Sequence, residues 1–453
     1  MKNRHVVLWV VLLAVLVILS LALSGCAPVN QVAAELGLPP IFAEHTAAPS
    51  GAAVLTPDGT SVVAAVPEKT PTPVPPQVLT VWVPPEFDPE GDTEAGRLLG
   101  ERLKSFSAQN PDVEAVEVRV KAAAGASSLL DSLTAASAAA PGALPSLIAL
   151  RRADLETAAL KGLVYPMDGL TMSIDDADWY AYAREMALIQ GSVYGLPFAG
   201  DALLLAYRPA YISTVPNTWD EIVETGKPLL FPAADPQAAF TLTLYQSVGG
   251  SITDTQNRPA LDPEVLTEVL RVYQQGSQSG VFPVWLSEYQ SDGQAWDGYT
   301  ERRTDWMITW SNRYLSNPQA DTSAVLLPSL GDEAYTIASG WVWALADPDP
   351  NRQALSQSLA DYLVESDFLT AFAEPSGYLP TRPTALTGWA DQRTRSLISQ
   401  LVVSANLRPA NDLVSSLGPV LQESALQVIQ YKAMPDSQAQ AASERLHIPE
   451  VSK

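Results

Sequence analysis

The residue types that most often do chemistry are scarce in this chain of 453 residues. It has three histidines (His5, His45 and His447) and one cysteine (Cys26), all within the first fifty or the last ten residues. A Ser-His-Asp triad needs a histidine held in the folded core, and a zinc site needs several histidine or cysteine ligands. The sequence also has no glycine-rich phosphate loop ending in Lys-Ser or Lys-Thr. It therefore argues against these classes of enzyme, and neither a metal nor a cofactor is expected.

Carboxylates and aromatic rings remain as the groups that could do chemistry. The chain has 50 acidic residues, 11 tryptophans and 15 tyrosines. Two carboxylates could hydrolyse a glycosidic bond, but no pair of them stands out by its spacing. Aromatic rings stack on the apolar faces of sugars and on cations, although any single ring could equally pack in a core. A binding site for a sugar or a cation and a carboxylate-based glycosidase are both open at this point.

The first 26 residues have the organisation of a bacterial lipoprotein signal. A basic head precedes an apolar run over residues 6–23, and the small residues Ser24 and Gly25 lead to Cys26. We expect residues 1–25 to be a signal peptide and Cys26 to be lipidated, which anchors the chain on the outer side of the cell membrane. The alternative is an uncleaved transmembrane anchor, because roughly 20 apolar residues are enough to span a bilayer.

The net charge narrows the range of partners. Removal of residues 1–25 takes away Lys2 and Arg4 but no acidic residue, which moves the formal charge from −23 to −25. Nucleic-acid binding depends on lysine and arginine that neutralise phosphates, so no nucleic-acid partner is expected. Attachment to the membrane is expected through the acyl chains of Cys26, because stable anchoring needs more than one chain.

Residues 26–77 are expected to form a tether between the lipidated cysteine and the fold. They are rich in Ala, Pro, Thr, Val and Gly and end in the cluster Pro71, Pro73, Pro75 and Pro76. Too few large apolar residues are present to build a core, which favours a disordered, Pro-rich segment over a small separate domain.

Apolar strand patterns alternate with helical ones from residue 78 onward. Strands are predicted at residues 78–83, 116–120, 146–150, 203–207, 306–310 and 341–345. A capping box at residues 218–221 and the pair Asp262-Pro263 indicate helix starts, with Gly276 as the end of the second helix. Residues 412–446 predict closing helices. This alternation is typical of an α/β fold with mostly parallel sheets and helices on both faces.

The order of these motifs resembles the extracellular solute-binding proteins of ABC importers, in particular the sugar-binding group that includes the maltose-binding proteins. The most specific segment is GSVYGLPF at residues 191–198, followed by Asp201 and a strand to Tyr207, which is similar to the family's YGLP segment and the strand after it. Shorter matches to family segments are PNTWDE at 216–221, WMITW at 306–310 and GYLP at 377–380. Arg208 and Trp306 stand where the family usually has Asn and Ala.

The resemblance implies a two-lobed, type II periplasmic-binding-protein-like fold whose lobes close on a ligand in the cleft between them. The N-lobe would comprise residues 78–198 and 335–380, and the C-lobe residues 199–334 and 381–453. The segment YGLPFAGD at 194–201 joins the lobes and is the first hinge candidate, although its glycines and proline would also suit an ordinary turn.

The candidate site residues follow from the ends of the strands and from the resemblance. Ligands of open α/β sheets lie outside the carboxyl ends of strands. The candidates are Glu86, Arg151, Arg152, Asp154, Asp201, Trp310, Ser311, Arg313, Gly340, Trp341 and Tyr378. Asp201 aligns with a family position that accepts hydrogen bonds from sugar hydroxyls, with a helix cap or a hinge salt bridge as the alternative. For Trp310 and Trp341, stacking on the ligand stands against packing in the core.

The function implied by the resemblance is that of a monomeric receptor without enzymatic activity. It would capture a carbohydrate (an oligosaccharide or sugar derivative) and deliver it to the permease subunits of an ABC transporter. A polyamine or another cationic or peptide solute would suit the same aromatic and acidic residues. A tethered glycosidase remains open, as does a sensor or structural lipoprotein whose cleft no longer binds a ligand.

Overall fold

The computed structural model describes residues 76–446. The signal peptide, Cys26, the tether as far as residue 75, and His447 lie outside the described residues, so the predictions made for them stay predictions. Within residues 76–446, no helix has both the length and the apolar sequence that crossing a membrane requires.

Ten strands and fourteen α-helices follow one another along residues 76–446. The strands are β1 (Gln77–Val83), β2 (Val113–Val120), β3 (Leu147–Arg151), β4 (Leu188–Ile189), β5 (Ser192–Val193), β6 (Leu196–Tyr207), β7 (Trp306–Trp310), β8 (Ser323–Val325), β9 (Thr336–Leu345) and β10 (Ala405–Leu407). The helices are α1 (Glu94–Gln109), α2 (Leu129–Ala139), α3 (Arg152–Leu160), α4 (Ala181–Met186), α5 (Trp219–Thr225), α6 (Ala239–Ser247), α7 (Pro263–Ser279), α8 (Asp292–Thr300), α9 (Ser311–Ser316), α10 (Pro350–Tyr362), α11 (Ser366–Ser376), α12 (Gln392–Ser404), α13 (Asn411–Tyr431) and α14 (Pro435–Leu446).

One mixed sheet runs through the fold in the order β2-β1-β3-β9-β6-β7, with β10 on β9 and β8 on β6. The pairs β1–β2, β1–β3 and β9–β10 are parallel, whereas β3–β9, β6–β9, β6–β7 and β6–β8 are antiparallel. The expected predominance of parallel pairing is therefore wrong for the described residues. The reason is that β6 and β9 are long, run in opposite directions, and together contribute most of the pairs. A buried strand is apolar on both faces in either arrangement, so its residue pattern does not report its direction.

The helix boundaries show which local signals the chain uses. The Thr218 side chain accepts a hydrogen bond from the Glu221 N–H, and Asp262 caps α7 by accepting from the N–H groups of Glu264 and Val265. The predicted end of α7 at Gly276 is wrong, because the helix continues to Ser279 and ends at Gly280 with φ +89°. Gly276 lies within the helix, where a Cβ would come within 2.4 Å of the Phe282 ring.

Most of the segment at residues 194–201 is strand and not a turn, because β6 begins at Leu196. A Cβ on Gly195 would lie 2.7 Å from the Val342 side chain, and one on Gly200 would lie 2.1 Å from the Tyr182 hydroxyl oxygen. Both glycines are therefore explained by close packing against neighbours. Residues 196–202 of β6 pair with β9, and residues 203–207 pair with β7 and β8. Helices α13 and α14 pack on α7, while α11 packs on α1.

Candidate functional site

A cavity of about 970 Å³ opens beside the middle of β9, at the carboxyl ends of β3 and β7. The rule that ligand sites lie where strands end predicts this position. Eight of the candidate residues line the cavity: Arg151, Asp154, Asp201, Trp310, Arg313, Gly340, Trp341 and Tyr378. Seven of these residues lie on β3, β6, β7 and β9 or on the helices that follow β3 and β7, so the sheet brings them to one place; Tyr378 follows α11.

Asp201 lies on β6 where that strand changes partners from β9 to β7. Its Oδ1 accepts hydrogen bonds from the Ser311 hydroxyl at 2.8 Å and from the backbone N–H of Asn312 at 2.9 Å, both at the start of α9. Its Oδ2 accepts no hydrogen bond from residues 76–446. The carboxylate is thus held firmly by one oxygen, while the other is free to accept from a molecule in the cavity.

Burial raises the pKa of Asp201 to about 6, although the hydrogen bonds from Asn312 and Ser311 partly offset the effect. The folded state consequently holds this proton more tightly than the unfolded chain does.

The raised pKa gives a testable dependence of stability on pH. The contribution of Asp201 favours the folded state below the unfolded-state pKa near 4 and is lost as the pH rises through about 6. Between pH 4 and pH 7, we expect the free energy of unfolding of the wild type to fall by roughly 2 kcal/mol relative to that of Asp201→Asn. Urea titrations at a series of pH values measure this difference. The matched control is Asp297→Asn, at an exposed site on α8. If the stability of the wild type fell by a similar amount relative to Asp297→Asn, the assignment of the effect to Asp201 would be contradicted.

A second carboxylate, Asp292, lines the same cavity. Its Oδ1 accepts from the Thr309 hydroxyl at 2.6 Å, and its Oδ2 lies 3.2 Å from Nε of Arg313. Burial raises the pKa of Asp292 as well, against the opposing effect of these partners. Asp292 therefore fixes Arg313 in place, and the remaining guanidinium N–H groups of Arg313 can face the cavity.

Arg151 lies at the carboxyl end of β3, among acidic and aromatic groups. Its guanidinium carbon lies 4.7 Å from the centre of the Trp341 ring, and a terminal nitrogen lies 3.9 Å from Glu86. Glu86 does not line the cavity, but its carboxylate accepts a hydrogen bond from the Tyr378 hydroxyl at 2.8 Å. Burial, reinforced by the charge of Glu86, raises the pKa of Tyr378, which stays protonated and keeps its single O–H donor on Glu86.

Besides Glu86, three candidates are placed differently from what a direct ligand contact requires. The guanidinium of Arg152 donates to the Leu188 carbonyl at 3.0 Å and pairs with Glu156 away from the cavity. Ser311 is fully buried, and its hydroxyl donates to Asp201 Oδ1. The Trp341 side chain is only 1% exposed and packs edge-to-face against Phe87. Trp310 is the more accessible tryptophan, because it is only partly buried.

Several residues that line the cavity have no distinctive sequence signal. They are Ala123, Ala124, Gly125, Asp131, Gln237, Asp292, Asn312 and Arg408. Asp292 follows the helix-capping Ser291 and looks like an ordinary first-turn acid. Arg408 comes directly after the three-residue strand β10, which is too short to be recognised by its pattern. Among residues 76–446, no group of three or more His, Cys, Asp or Glu side chains could hold a metal ion.

Comparison with known proteins bears on both the family and the fold. The sequence model of a family described as bacterial extracellular solute-binding protein matches residues 101–394, which is more than half of the chain. A search of curated protein sequences gave no significant match.

Many solved structures are similar to the fold. One is the cyclic α-maltosyl-1,6-maltose-binding protein of Arthrobacter globiformis, with 17% identity, a TM-score of 0.67, and coverage of 82% of this chain and 98% of that one. Another is the sugar-binding protein MalE of Xanthomonas citri, with 18% identity, a TM-score of 0.66, and coverage of 82% and 96%. A third is the GacH receptor of Streptomyces glaucescens, solved unliganded and with acarbose, with 17% identity, a TM-score of 0.61, and coverage of 81% and 97%.

The structural matches establish the two-domain α/β periplasmic-binding-protein fold, and the family match covers most of the folded residues. The chain is a member of the bacterial extracellular solute-binding protein family.

Proposed function

We propose that the protein captures a carbohydrate in the cavity of about 970 Å³ and delivers it to the permease of an ABC transporter. The observation that carries the proposal is that one cavity is lined both by Asp201, with a free carboxylate oxygen, and by the partly buried ring of Trp310. A sugar presents hydroxyl donors around its rim and an apolar face, and these two groups match both. The Arthrobacter protein of this fold binds cyclic α-maltosyl-1,6-maltose, and the Xanthomonas protein is a sugar-binding protein. Both support a carbohydrate as the ligand class here.

The location follows from the family, whose members act outside the cytoplasm. We propose further that lipidated Cys26 and the Pro-rich tether hold the capture domains close to the permease in the membrane. Tethering raises the local concentration of the receptor at its partner without any new contact. We also propose the lobe boundaries given by the resemblance, with residues 194–201 as one of the crossing segments. Closure of the lobes then requires contacts that the sugar makes only in the closed state.

We also propose that the protein binds its ligand without chemically modifying it. Two carboxylates with raised pKa values, Asp201 and Asp292, line the cavity, so a glycosidase deserves a direct test. The bound sugar should be recovered intact after prolonged incubation with the protein across pH 4 to 8. Any hydrolysis product that disappears in Asp201→Asn would overturn the claim of a simple receptor.

Calorimetric titration against a panel of sugars tests the binding function. The full-length chain in lipid nanodiscs should bind at least one mono- or oligosaccharide with saturable heat, while polyamines and short peptides give none. Nanodiscs are needed because sugar-headed detergents would compete for the site. If no sugar binds, or if only the cationic solutes do, the carbohydrate assignment fails.

Trp310→Ala should lower the affinity for that sugar by at least about tenfold, because it removes the apolar stacking surface. Trp310→Phe should retain most of the affinity. Trp285→Ala is the matched control, since Trp285 is partly buried beside Arg303 and does not line the cavity. An equal loss of affinity in Trp285→Ala and Trp310→Ala would mean that the effect is not local to the cavity.

A further inference from the structure

Strand β2 lies at one end of the sheet, and one of its edges has no partner strand among residues 76–446. Glu117 and Arg119 on this strand are exposed, and Val120 is 39% exposed. A groove of about 680 Å³ runs between this edge and α1, and Val116, Val118 and Val120 line it. An open strand edge presents unpaired N–H and C=O groups that can pair with another strand.

The direction of these main-chain groups can be derived from the existing ladder. At the end of the β1–β2 pair, the Lys121 N–H donates to the Val83 carbonyl at 2.9 Å. Main-chain groups alternate in direction from one residue to the next along a strand. The N–H and C=O groups of Val116, Val118 and Val120 therefore point away from β1, toward the open edge.

We propose that this edge pairs with the same edge of a second copy of the chain, antiparallel and centred on Val118. In this register Val118 faces the Val118 of the second copy, and each Val116 faces a Val120, all as hydrogen-bonded pairs. Each Glu117 then faces an Arg119 on the other face of the joined sheet. The arrangement is a two-fold, self-complementary interface, as expected for contacts between identical chains.

The charges select this register over its neighbours. Opposite charges placed directly across an antiparallel pair stabilise it, and like charges destabilise it. Moving the centre by one residue places Glu117 against Glu117 or Arg119 against Arg119. Charged residues on an edge strand normally prevent pairing with other strands, but the order Glu117, Val118, Arg119 leaves the self-paired register open. The pairing also covers the exposed Val120.

The association is expected to be weak and reversible. A single pair of strands buries less surface than a stable dimer does, and two chains of formal charge −23 repel each other. A monomer is what the family resemblance implies, and capture of a solute needs only one copy. Self-pairing thus adds an interaction between neighbouring receptors and does not depend on the ligand site.

Disulfide trapping in membranes of cells that produce the full-length chain tests the proposal. In the proposed register the two Val118 Cα atoms lie about 5.5 Å apart, within the range that a disulfide spans. Val118→Cys should give a disulfide-linked dimer on a non-reducing gel. The wild type controls for Cys26, and Val403→Cys, at a 78% exposed site on α12, controls for random collision. A dimer yield no higher than that of Val403→Cys, or trapping of a different protein, would overturn the proposal.

Charge reversal in the Val118→Cys chain tests the register. Glu117→Arg and Arg119→Glu should each reduce the trapped dimer by about tenfold, because each creates like-charge pairs at two symmetric positions. The double variant Glu117→Arg/Arg119→Glu should restore the dimer, since it restores opposite charges. Both residues are exposed, so folding should be unaffected, and circular dichroism checks this. Failure of the double variant to restore trapping would contradict the proposed register.

Discussion

Asp201→Asn is expected to lower the affinity for the bound sugar by about 10- to 100-fold, which is the usual cost of losing a hydrogen bond to a charged group. The substitution keeps the size of the side chain, and the amide oxygen can still accept from Ser311 and Asn312 as Oδ1 does. The free Oδ2 is replaced by an NH₂ group, which would meet a sugar hydroxyl donor with another donor. Calorimetric titration with the same sugar measures the loss.

The control for this prediction is the exposed Asp297→Asn, which removes a negative charge of the same kind outside the cavity. Its affinity should match that of the wild type. The Asp201→Asn protein should also unfold at close to the wild-type denaturant midpoint at pH 4, where the Asp201 carboxyl is neutral like the amide. Unchanged affinity in Asp201→Asn would mean that the ligand does not contact this carboxylate, and the position of the site would have to be revised.

Trp341→Ala is expected to lower the free energy of unfolding by about 3–5 kcal/mol, the typical cost of removing a buried tryptophan ring. The side chain is 1% exposed and packs edge-to-face on Phe87 at 5.8 Å. Phe87 in turn contacts Phe198 and Phe372, so the cavity left behind would lie in the centre of the aromatic core. Denaturant unfolding followed by circular dichroism measures the change.

Trp310→Ala serves as the comparison for stability. Trp310 is only partly buried, so its loss should cost less than half as much unfolding free energy as the loss of Trp341. We therefore expect Trp310 to contribute to ligand binding and Trp341 to contribute to the stability of the core. Equal destabilisation by the two substitutions, or a stable Trp341→Ala protein that has lost only its affinity, would contradict this division.

The elements that could be predicted from sequence are those with strong local signals. The caps at Thr218 and Asp262 and the buried strands 203–207 and 306–310 appear in the structure as the residue patterns indicate. The direction of the strands could not be predicted, because a strand buried on both faces has the same apolar pattern in a parallel or an antiparallel sheet. The end of α7 was predicted wrongly at Gly276 because both helix termination and close packing select glycine. Here Gly276 packs closely against Phe282.

The candidate site shows the same limit. Eight of the candidate residues line one cavity because the ends of strands converge there. The burial of Trp341 and the turning of Arg152 toward Leu188 depend on contacts with residues far away in sequence. Asp292 and Arg408 come from short or unremarkable segments and reach the cavity only through the fold. Local patterns therefore locate the site, while tertiary contacts decide which side chains face it.

A crystal structure of the protein with the sugar that binds most tightly tests the central claim most directly. The sugar should lie in the cavity of about 970 Å³ beside the middle of β9, with a hydroxyl within hydrogen-bonding distance of Asp201 Oδ2 and a ring face against Trp310. A sugar bound elsewhere on the protein, or one in the cavity that touches neither residue, would contradict the account.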